Sequence, residues 1–524
     1  MFFVIYFYFF FSLTLGDGYK ILSISPFTGK SHNNMLESVA KALALKGHQV
    51  DVVSQFVLKN PPKNYRTIIN LDGTMPAQIN NWTIEMINDF KKSDLIPTVT
   101  KHYGNNFCDL MALDALQKLI KQSSKDRSYD LLITEAFAIN CYIGIGHILK
   151  IPVIIVSALN EFLWFDDILG NPMSNAYATN WVASVFQVKT FWERVKNHFF
   201  THYYNYEYFE YTEEEQTLAM RKYLNPTIPS VREIEKSISL LLVNGYHSFF
   251  GIRPLSPAIV QVAGIQIELS DTKMTPELKI WMDDSKDGVV FFTLGSMIII
   301  EDLSREIIQN LYASFAKLAP IRVLMKIVNR GKLPPGLPKN VLTMSWIPQI
   351  PVLKHKNTKV FITHGGINSV QEGLYFAVPM IGFPLFADQP YNIRILSDKN
   401  VTYEMNYENI TEKSLTKALN AVLYDPKYRE SAKRESTLFR ERPMSATDTA
   451  VFWVEYIIRN GANSLRSPSM DMPFWKAELV DIYLFFFISL LLISYIIFFI
   501  FRKIISLSIT TILNPNSQSH KKND

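Results

Sequence analysis

The chain alternates short apolar runs with longer stretches of helical spacing. Residues 20–25 read as a strand, followed by a loop with Pro26 and Gly29. Residues 34–46 place Met35, Val39 and Leu43 on one helical face, and Gly47 suits the left-handed position just past the helix end. Residues 49–53, 130–134 and 153–156 are further strands, with a helix predicted near 139–149. The second half repeats the scheme at 289–294, 322–327, 341–345, 359–363 and 379–382, each followed by a turn and a helix-like stretch. Apolar strands alternating with helices imply a parallel sheet covered on both faces. The pattern therefore predicts an α/β chain with two doubly wound domains. Their join falls in residues 251–277, where Pro254, Pro257 and Pro276 interrupt the alternation. Residues 160–235 are aromatic and irregular, and the pattern assigns them no element.

The two ends point to a membrane. Residues 1–15 carry no charge before Asp17 and are too short to cross a hydrocarbon layer of about 30 Å. They read as a signal peptide over residues 1–16, although the usual basic leader is missing. Residues 482–501 are twenty uncharged positions, the length of a spanning helix, and Arg502 and Lys503 follow at once. A basic flank stays in the cytosol, so the body is expected in the lumen. That divides the chain into an N-terminal domain (17–250), the join, a C-terminal domain (278–460), a juxtamembrane segment (461–481), the spanning helix and a tail (502–524). Lys521 and Lys522, third and fourth from the end, resemble a dilysine retrieval signal of the endoplasmic reticulum. Three glycosylation sequons, at Asn81, Asn400 and Asn409, lie in the body. Cys108 and Cys141 either pair in an oxidising lumen or remain two buried thiols.

Composition narrows the partners. Of 524 residues, 19% are charged, below the roughly 25% of soluble proteins. Disorder, collagen and a disulfide scaffold are excluded. The net charge is +5, and the tail alone holds Arg502, Lys503, Lys521 and Lys522 against Asp524. What is left offers no basic stripe for a nucleic acid. A lipid bilayer is the expected large partner; the oligomeric state, a homo-oligomer included, stays open.

In open α/β sheets ligands bind beyond the carboxyl ends of strands, and the stretch from Trp346 to Gln389 supplies groups there. His364-Gly365-Gly366 is a tight turn after a strand, and Asn368 and Ser369 open the next helix. Free N–H groups and the helix dipole at that point suit a diphosphate, with His364 an added donor. Glu372 lies one turn on from Ser369, placed for ribose hydroxyls. Trp346 offers a stacking face and Gln349 an amide for a base edge. Asp388 and Gln389 follow the next strand and turn, placed for a sugar's hydroxyls, and Gly295-Ser296 closes the phosphate pocket from the other side.

This stretch resembles the signature box of the animal UDP-glycosyltransferases, membrane-anchored glucuronosyl- and glucosyltransferases, and its wording is most similar to insect members. The likeness runs from signal peptide to dilysine tail. It implies a GT-B architecture, two Rossmann-like domains facing across a cleft, plus one C-terminal transmembrane helix. It implies that Trp346 and Gln349 hold uracil and Glu372 the ribose. His364, Gly366, Asn368, Ser369 and Ser296 would hold the diphosphate, Asp388 and Gln389 the donor sugar, and Arg253 of the Arg-Pro linker a phosphate. The donor is UDP-glucose or UDP-glucuronic acid, a co-substrate; no cofactor and no metal site are expected. Ala377 and Lys356 depart from the family wording away from the donor.

An alcohol acceptor needs a general base. His32, just past the first strand and its loop, matches the family's catalytic histidine. Its carboxylate partner matches Glu135, where the family generally has aspartate. The resemblance thus implies inverting transfer to a small lipophilic hydroxyl acceptor, and the run Phe162-Leu163-Trp164-Phe165 suggests an apolar acceptor pocket. Other classes fit less well. There is no Asp-x-Asp motif, Gly144-Ile145-Gly146 lacks a third glycine, and no Gly-x-Ser-x-Gly accompanies the His-Gly-Gly turn. The rival from another class is a non-catalytic, membrane-anchored UDP-sugar-binding protein.

Overall fold

The computed structural model describes residues 18–513, apart from 161, 180, 183, 184 and 187. The signal peptide and the dilysine pair expected from the sequence lie outside the described residues. Among the described residues the apolar runs form two parallel sheets. The first contains β1 (Lys20–Ser25), β2 (Gln49–Ser54), β3 (Tyr65–Asn70), β4 (Leu131–Glu135), β5 (Val153–Ser157), β6 (Ile238–Val243) and β7 (Ile259–Gln261), in the order β3-β2-β1-β4-β5-β6-β7. The second contains β8 (Val289–Thr293), β9 (Arg322–Lys326), β10 (Val341–Met344), β11 (Thr358–Thr363), β12 (Met380–Gly382) and β13 (Thr402–Glu404), in the order β10-β9-β8-β11-β12-β13.

Strand alternation explains why both sheets are covered on two faces. In β1 Ile21 packs into one core and Leu22 and Ile24 into the opposite one; β4 and β5 divide their side chains the same way. In β8, Val290 and Phe292 face one core while Val289 and Phe291 face the other. Strands buried on both faces read as continuous apolar runs, which made β1, β4, β5 and β8 visible in the sequence, whereas the pattern assigns no strand to β6, which is equally buried. The helix Lys30–Leu45 lays Met35, Val39 and Leu43 against the first sheet.

Two boundaries differ from the sequence pattern. The expected join carries β7, the edge strand of the first sheet, paired with β6 from Leu241 to Val243. The helix Ala446–Asn460, expected with the second domain, packs Ala450, Val454 and Ile457 into the first sheet's core beside Leu43. Burial of that apolar stripe decides where the helix lies, whatever its place in the sequence.

In each sheet the strand order reverses beside the first strand, between β1 and β4 and between β8 and β11. Loops leaving adjacent strands diverge at such a point and open a crevice. His32 follows β1 and Glu135 ends β4, while Ser296 follows β8 and His364 follows β11.

Cys108 and Cys141 form a disulfide across 33 residues of sequence. A loop of that length implies about 3–4 kcal/mol of stabilisation through the unfolded state. Replacing both cysteines by serine should lower the unfolding free energy by about that amount, measured by denaturant titration against the oxidised protein.

Residues 467–513 belong to a separate unit. Its helix Val480–Leu513 has 34 residues and a mean hydropathy of 2.9 in its most apolar window, long and apolar enough to cross a membrane. At about 1.5 Å per residue it exceeds the hydrocarbon thickness, so it continues past Arg502 and Lys503.

Candidate active site

From the two switch points His32, Ser296 and His364 line one cleft of about 1090 Å³, with Glu135 buried behind His32. On its first-sheet side the helix after β1 starts at Lys30, which puts His32 inside the first turn. Gly29 is the N-cap and no side chain caps the helix, so the imidazole is not held there as a capping group. Its Nδ1 lies 2.6 Å from Glu135 Oε1. The Glu135 side chain is fully buried, and its second oxygen has no protein partner. Phe27 and Phe137 meet the His32 ring edge-on at 4.7 and 4.5 Å. With Nδ1–H donating to the carboxylate, Nε2 carries the lone pair, the tautomer a base needs.

On the second-sheet side the helix Ile367–Tyr375 begins at Gly366 and brings Ser369 and Glu372 to the cleft. Gly365 has a φ of +90°, a left-handed turn that glycine adopts without strain. A Cβ on Gly366 would stand 2.5 Å from His364 Nε2, and one on Gly295 2.6 Å from His364 Cε1. The ring therefore fits only between glycines. Burial, with Lys326 adding to it, pushes His364 down to about 3, so the imidazole is neutral. Its Nδ1 is buried without a protein partner.

Gln349 donates its amide to Glu372 Oε2 at 2.7 Å and to Ser369 Oγ at 3.1 Å. Burial pushes Glu372 up to about 7, against the Gln349 hydrogen bond. Burial likewise pushes Asp388 up to about 6, opposed by Asn392, by His32 and by the Ile367 N–H at the helix start. Trp346 stands half exposed at the rim, its ring 5.6 Å from Lys326 Nζ. A half-exposed indole beside a carboxyl held by an amide is a surface for a flat, hydroxylated ligand.

A family model described as "UDP-glucoronosyl and UDP-glucosyl transferase" matches residues 20–514. The chain belongs to that family. A UDP-glucosyltransferase 2 of Dactylopius coccus is 32% identical over 502 residues, covering 94% of each chain. UDP-glucuronosyltransferase 2A2 of Homo sapiens is 35% identical over 295 residues, 56% of this chain and 54% of the relative. Among solved structures, Phytolacca americana UGT2 complexed with UDP-2fluoro-glucose and pterostilbene superposes with a TM-score of 0.54 at 15% identity. That likeness covers 84% of this chain and 100% of the plant protein. The fold is GT-B, and the chain is a glycosyltransferase that moves a sugar from a UDP-sugar to an acceptor.

Within this UDP-glycosyltransferase, Ser296, Trp346, Gln349, His364, Gly366, Asn368, Ser369, Glu372, Asp388 and Gln389 all reach the cleft with His32. Several of them also hold protein groups. Asn368 Nδ2 donates to Ser31 O at 3.1 Å and its Oδ1 accepts from Asn244, so its side chain ties the two sides of the cleft together. Gln389 Oε1 accepts the Leu385 and Phe386 N–H groups and shapes the turn before it.

Arg253 is a correction. It is absent from the cleft lining, and its Nη2 donates to both oxygens of Asp166 at 2.7 Å. The chain after Gly251 runs over the helix Leu163–Leu169, where a buried carboxylate is the nearer counter-charge. The run Phe162–Phe165 is a second correction, since it fills the core. Phe162 stacks on Trp164 at 4.5 Å and Trp164 on Tyr208 at 4.0 Å. Phe27, Trp82, Phe90, Tyr103, Phe137 and Phe386 make the cleft's aromatic end instead.

Lys326 is a cleft residue that the sequence pattern does not single out. It ends β9, lines the cleft and is buried, and burial pushes its ammonium down to about 8. A lysine at the carboxyl end of a parallel strand was the available signal. The sequons fall on the surface, with Asn81, Asn400 and Asn409 all exposed.

Proposed function

We propose that this enzyme transfers glucose or glucuronic acid, with inversion and without a metal, to a hydroxyl of a small lipophilic acceptor. His32 acts as base and Glu135 as its partner. The observation that carries the reading is the 2.6 Å contact of His32 Nδ1 with the buried Glu135 Oε1, with His32 itself lining the same cleft as Glu372 and Asp388. The acceptor's O–H gives its proton to His32 Nε2 as its oxygen bonds to the anomeric carbon. The bond from that carbon to the diphosphate oxygen breaks, and UDP leaves with the electron pair. The N-terminus of the helix Ile367–Tyr375, neutral His364 and cationic Lys326 support a diphosphate there. The aromatic end beside His32 supports a flat, apolar acceptor. Purified protein given UDP-glucose or UDP-glucuronic acid with a panel of phenols should release UDP and form a glycoside. Donor binding with neither transfer nor hydrolysis would favour the binding-protein reading.

Donor roles can be separated. Glu372→Ala should weaken UDP-sugar binding by about 1.5–3 kcal/mol, the loss of a charge-assisted hydrogen bond. Because the raised carboxyl is ionised only above about 7, wild-type affinity should rise as pH rises through that value. Calorimetry on Glu372→Gln should show no such rise. Asp388→Ala should depress turnover while leaving UDP affinity nearly intact; equal loss of UDP affinity in both alanine variants would undo the division.

We further propose an endoplasmic-reticulum protein anchored once, with both domains luminal. Protease added to intact microsomes should remove only the tail after the helix Val480–Leu513. Digestion of the body without detergent would reverse the orientation. Lys521→Ser with Lys522→Ser should let part of the protein leave that compartment, read by glycan processing.

A further inference from the structure

A strap from the first half of the chain lies across the donor loop of the second. After β3, Gln78 N–H donates to Thr28 O, four residues before His32. The chain then crosses to the loop after β8: Asn80 N–H donates to Ser296 O at 2.9 Å, and Asn81 and Trp82 N–H to Met297 O. Trp82 pairs with Ile298 as an isolated bridge and stacks on Phe386 at 4.9 Å. The Trp82 and Ile87 side chains are members of the second sheet's core. From there the strap returns through the helix Leu95–Thr100, whose Leu95 and Val99 line the cleft's apolar end.

Asn80 is the strap's contact with the pocket's cation. Lys326 Nζ donates to Asn80 Oδ1 at 2.6 Å and to Gly295 O at 2.6 Å. Two of its three N–H donors are thus taken, and the Trp346 ring lies 5.6 Å away. Asn80 sits at a φ of +54°, a left-handed conformation asparagine tolerates better than most residues. Its backbone anchors the strap while its side chain aims at the ammonium.

We propose that Asn80 is a positioning residue of sugar transfer, holding the Lys326 ammonium beside His364 from a segment that also walls the acceptor end. The proposal rests on the reading that this pocket takes a UDP-sugar's diphosphate. A cation on a flexible four-carbon stem stabilises a leaving diphosphate only if it is fixed before the charge develops. Gly295 O alone is one fixed acceptor; Asn80 makes a second and sets the direction. Because the strap also carries Trp82, movement at the acceptor end reaches the cation that faces the donor.

The charged and titratable groups facing Lys326 are Glu301, after β8, and His364, after β11; Asn80 is neutral. Burial pushes the ammonium down to about 8 and Glu301 opposes this. If the protonated form is required, kcat/KM for UDP-glucose at saturating acceptor falls as pH rises through that region. Asn80→Asp places a carboxylate on the ammonium and moves the fall to higher pH. Asn80→Gly fits the left-handed backbone, removes one acceptor and moves the fall to lower pH, with donor KM raised roughly 5–30-fold. General damage to the fold cannot shift the two variants in opposite directions. Should the glycine variant fail to fold, the isosteric aspartate variant still gives the upward shift or refutes it. Wild-type transfer with the same alkaline fall in every variant would overturn the role of Asn80. A wild-type protein that neither binds nor turns over UDP-glucose or UDP-glucuronic acid would instead overturn the donor reading itself.

Discussion

His32→Ala should lower turnover of hydroxyl acceptors by about 10²–10⁴-fold, the usual contribution of a positioned base. The imidazole does not cap the helix, because Gly29 is the N-cap and no side-chain cap is made. Its structural role is as partner to the buried Glu135, so some stability should be lost with it. Removing it should leave the helix Lys30–Leu45 and the donor pocket intact. The Asn368 bridge uses the backbone oxygen of Ser31, which an alanine at 32 does not disturb. UDP binding should therefore persist near its wild-type strength, and single-turnover kinetics should place the loss in the chemical step. A variant that keeps full turnover removes the base from the account; one that loses UDP affinity in parallel shows a damaged cleft.

Glu135→Gln should cost between about 10- and 10³-fold in turnover, less than His32→Ala. An amide facing Nδ1 through its oxygen keeps the tautomer but loses the counter-charge for the imidazolium. Turned the other way it donates to Nδ1 and leaves a proton on Nε2, the wrong tautomer. Thermal stability supplies the contrast. Glu135 is buried with one oxygen on His32 and the other without a partner, so neutralising it should leave the melting temperature unchanged or raise it. A gain in stability with a loss of turnover identifies a residue kept for chemistry. Glu135→Asp retains the charge but withdraws it by one methylene. Its activity should fall between the wild type and the amide variant, and differential scanning calorimetry with initial-rate assays reads all three proteins.

How much of this was legible in the chain depends on what each residue packs against. The central strands β1, β4, β5, β8 and β11 were visible because burial on both faces demands unbroken apolar runs. β3 was not: it is an edge strand with a mixed burial pattern, and Arg66 and Asn70 break the run. The helix Phe191–Tyr223 escaped for a different reason. Its inward face carries Asn197, Thr201, Asn205 and Gln216 at helical spacing. Asn197 donates to two backbone oxygens, and Gln216 Nε2 donates to Ala138 O. A buried face made of amides and hydroxyls has helical period but no apolar stripe to announce it.

The donor side was readable because its residues follow strands at a switch point, where topology gathers whatever the loops carry. Position in the chain could not tell cleft from core for an aromatic run, so Phe162–Phe165 was misplaced. It also could not tell a phosphate from a carboxylate as the partner of Arg253. Both outcomes turn on Asp166 and Tyr208, neighbours brought near by folding. Lys326 and Asn80 are 246 residues apart, and only the packed structure brings them together.

The central claim is a single base-assisted displacement at the anomeric carbon. The direct test is proton NMR of the glycoside formed by the purified enzyme from an α-linked UDP-sugar and a simple phenol. A β-glycoside is expected, formed by attack from the face opposite the departing UDP; an α-glycoside would contradict a single displacement.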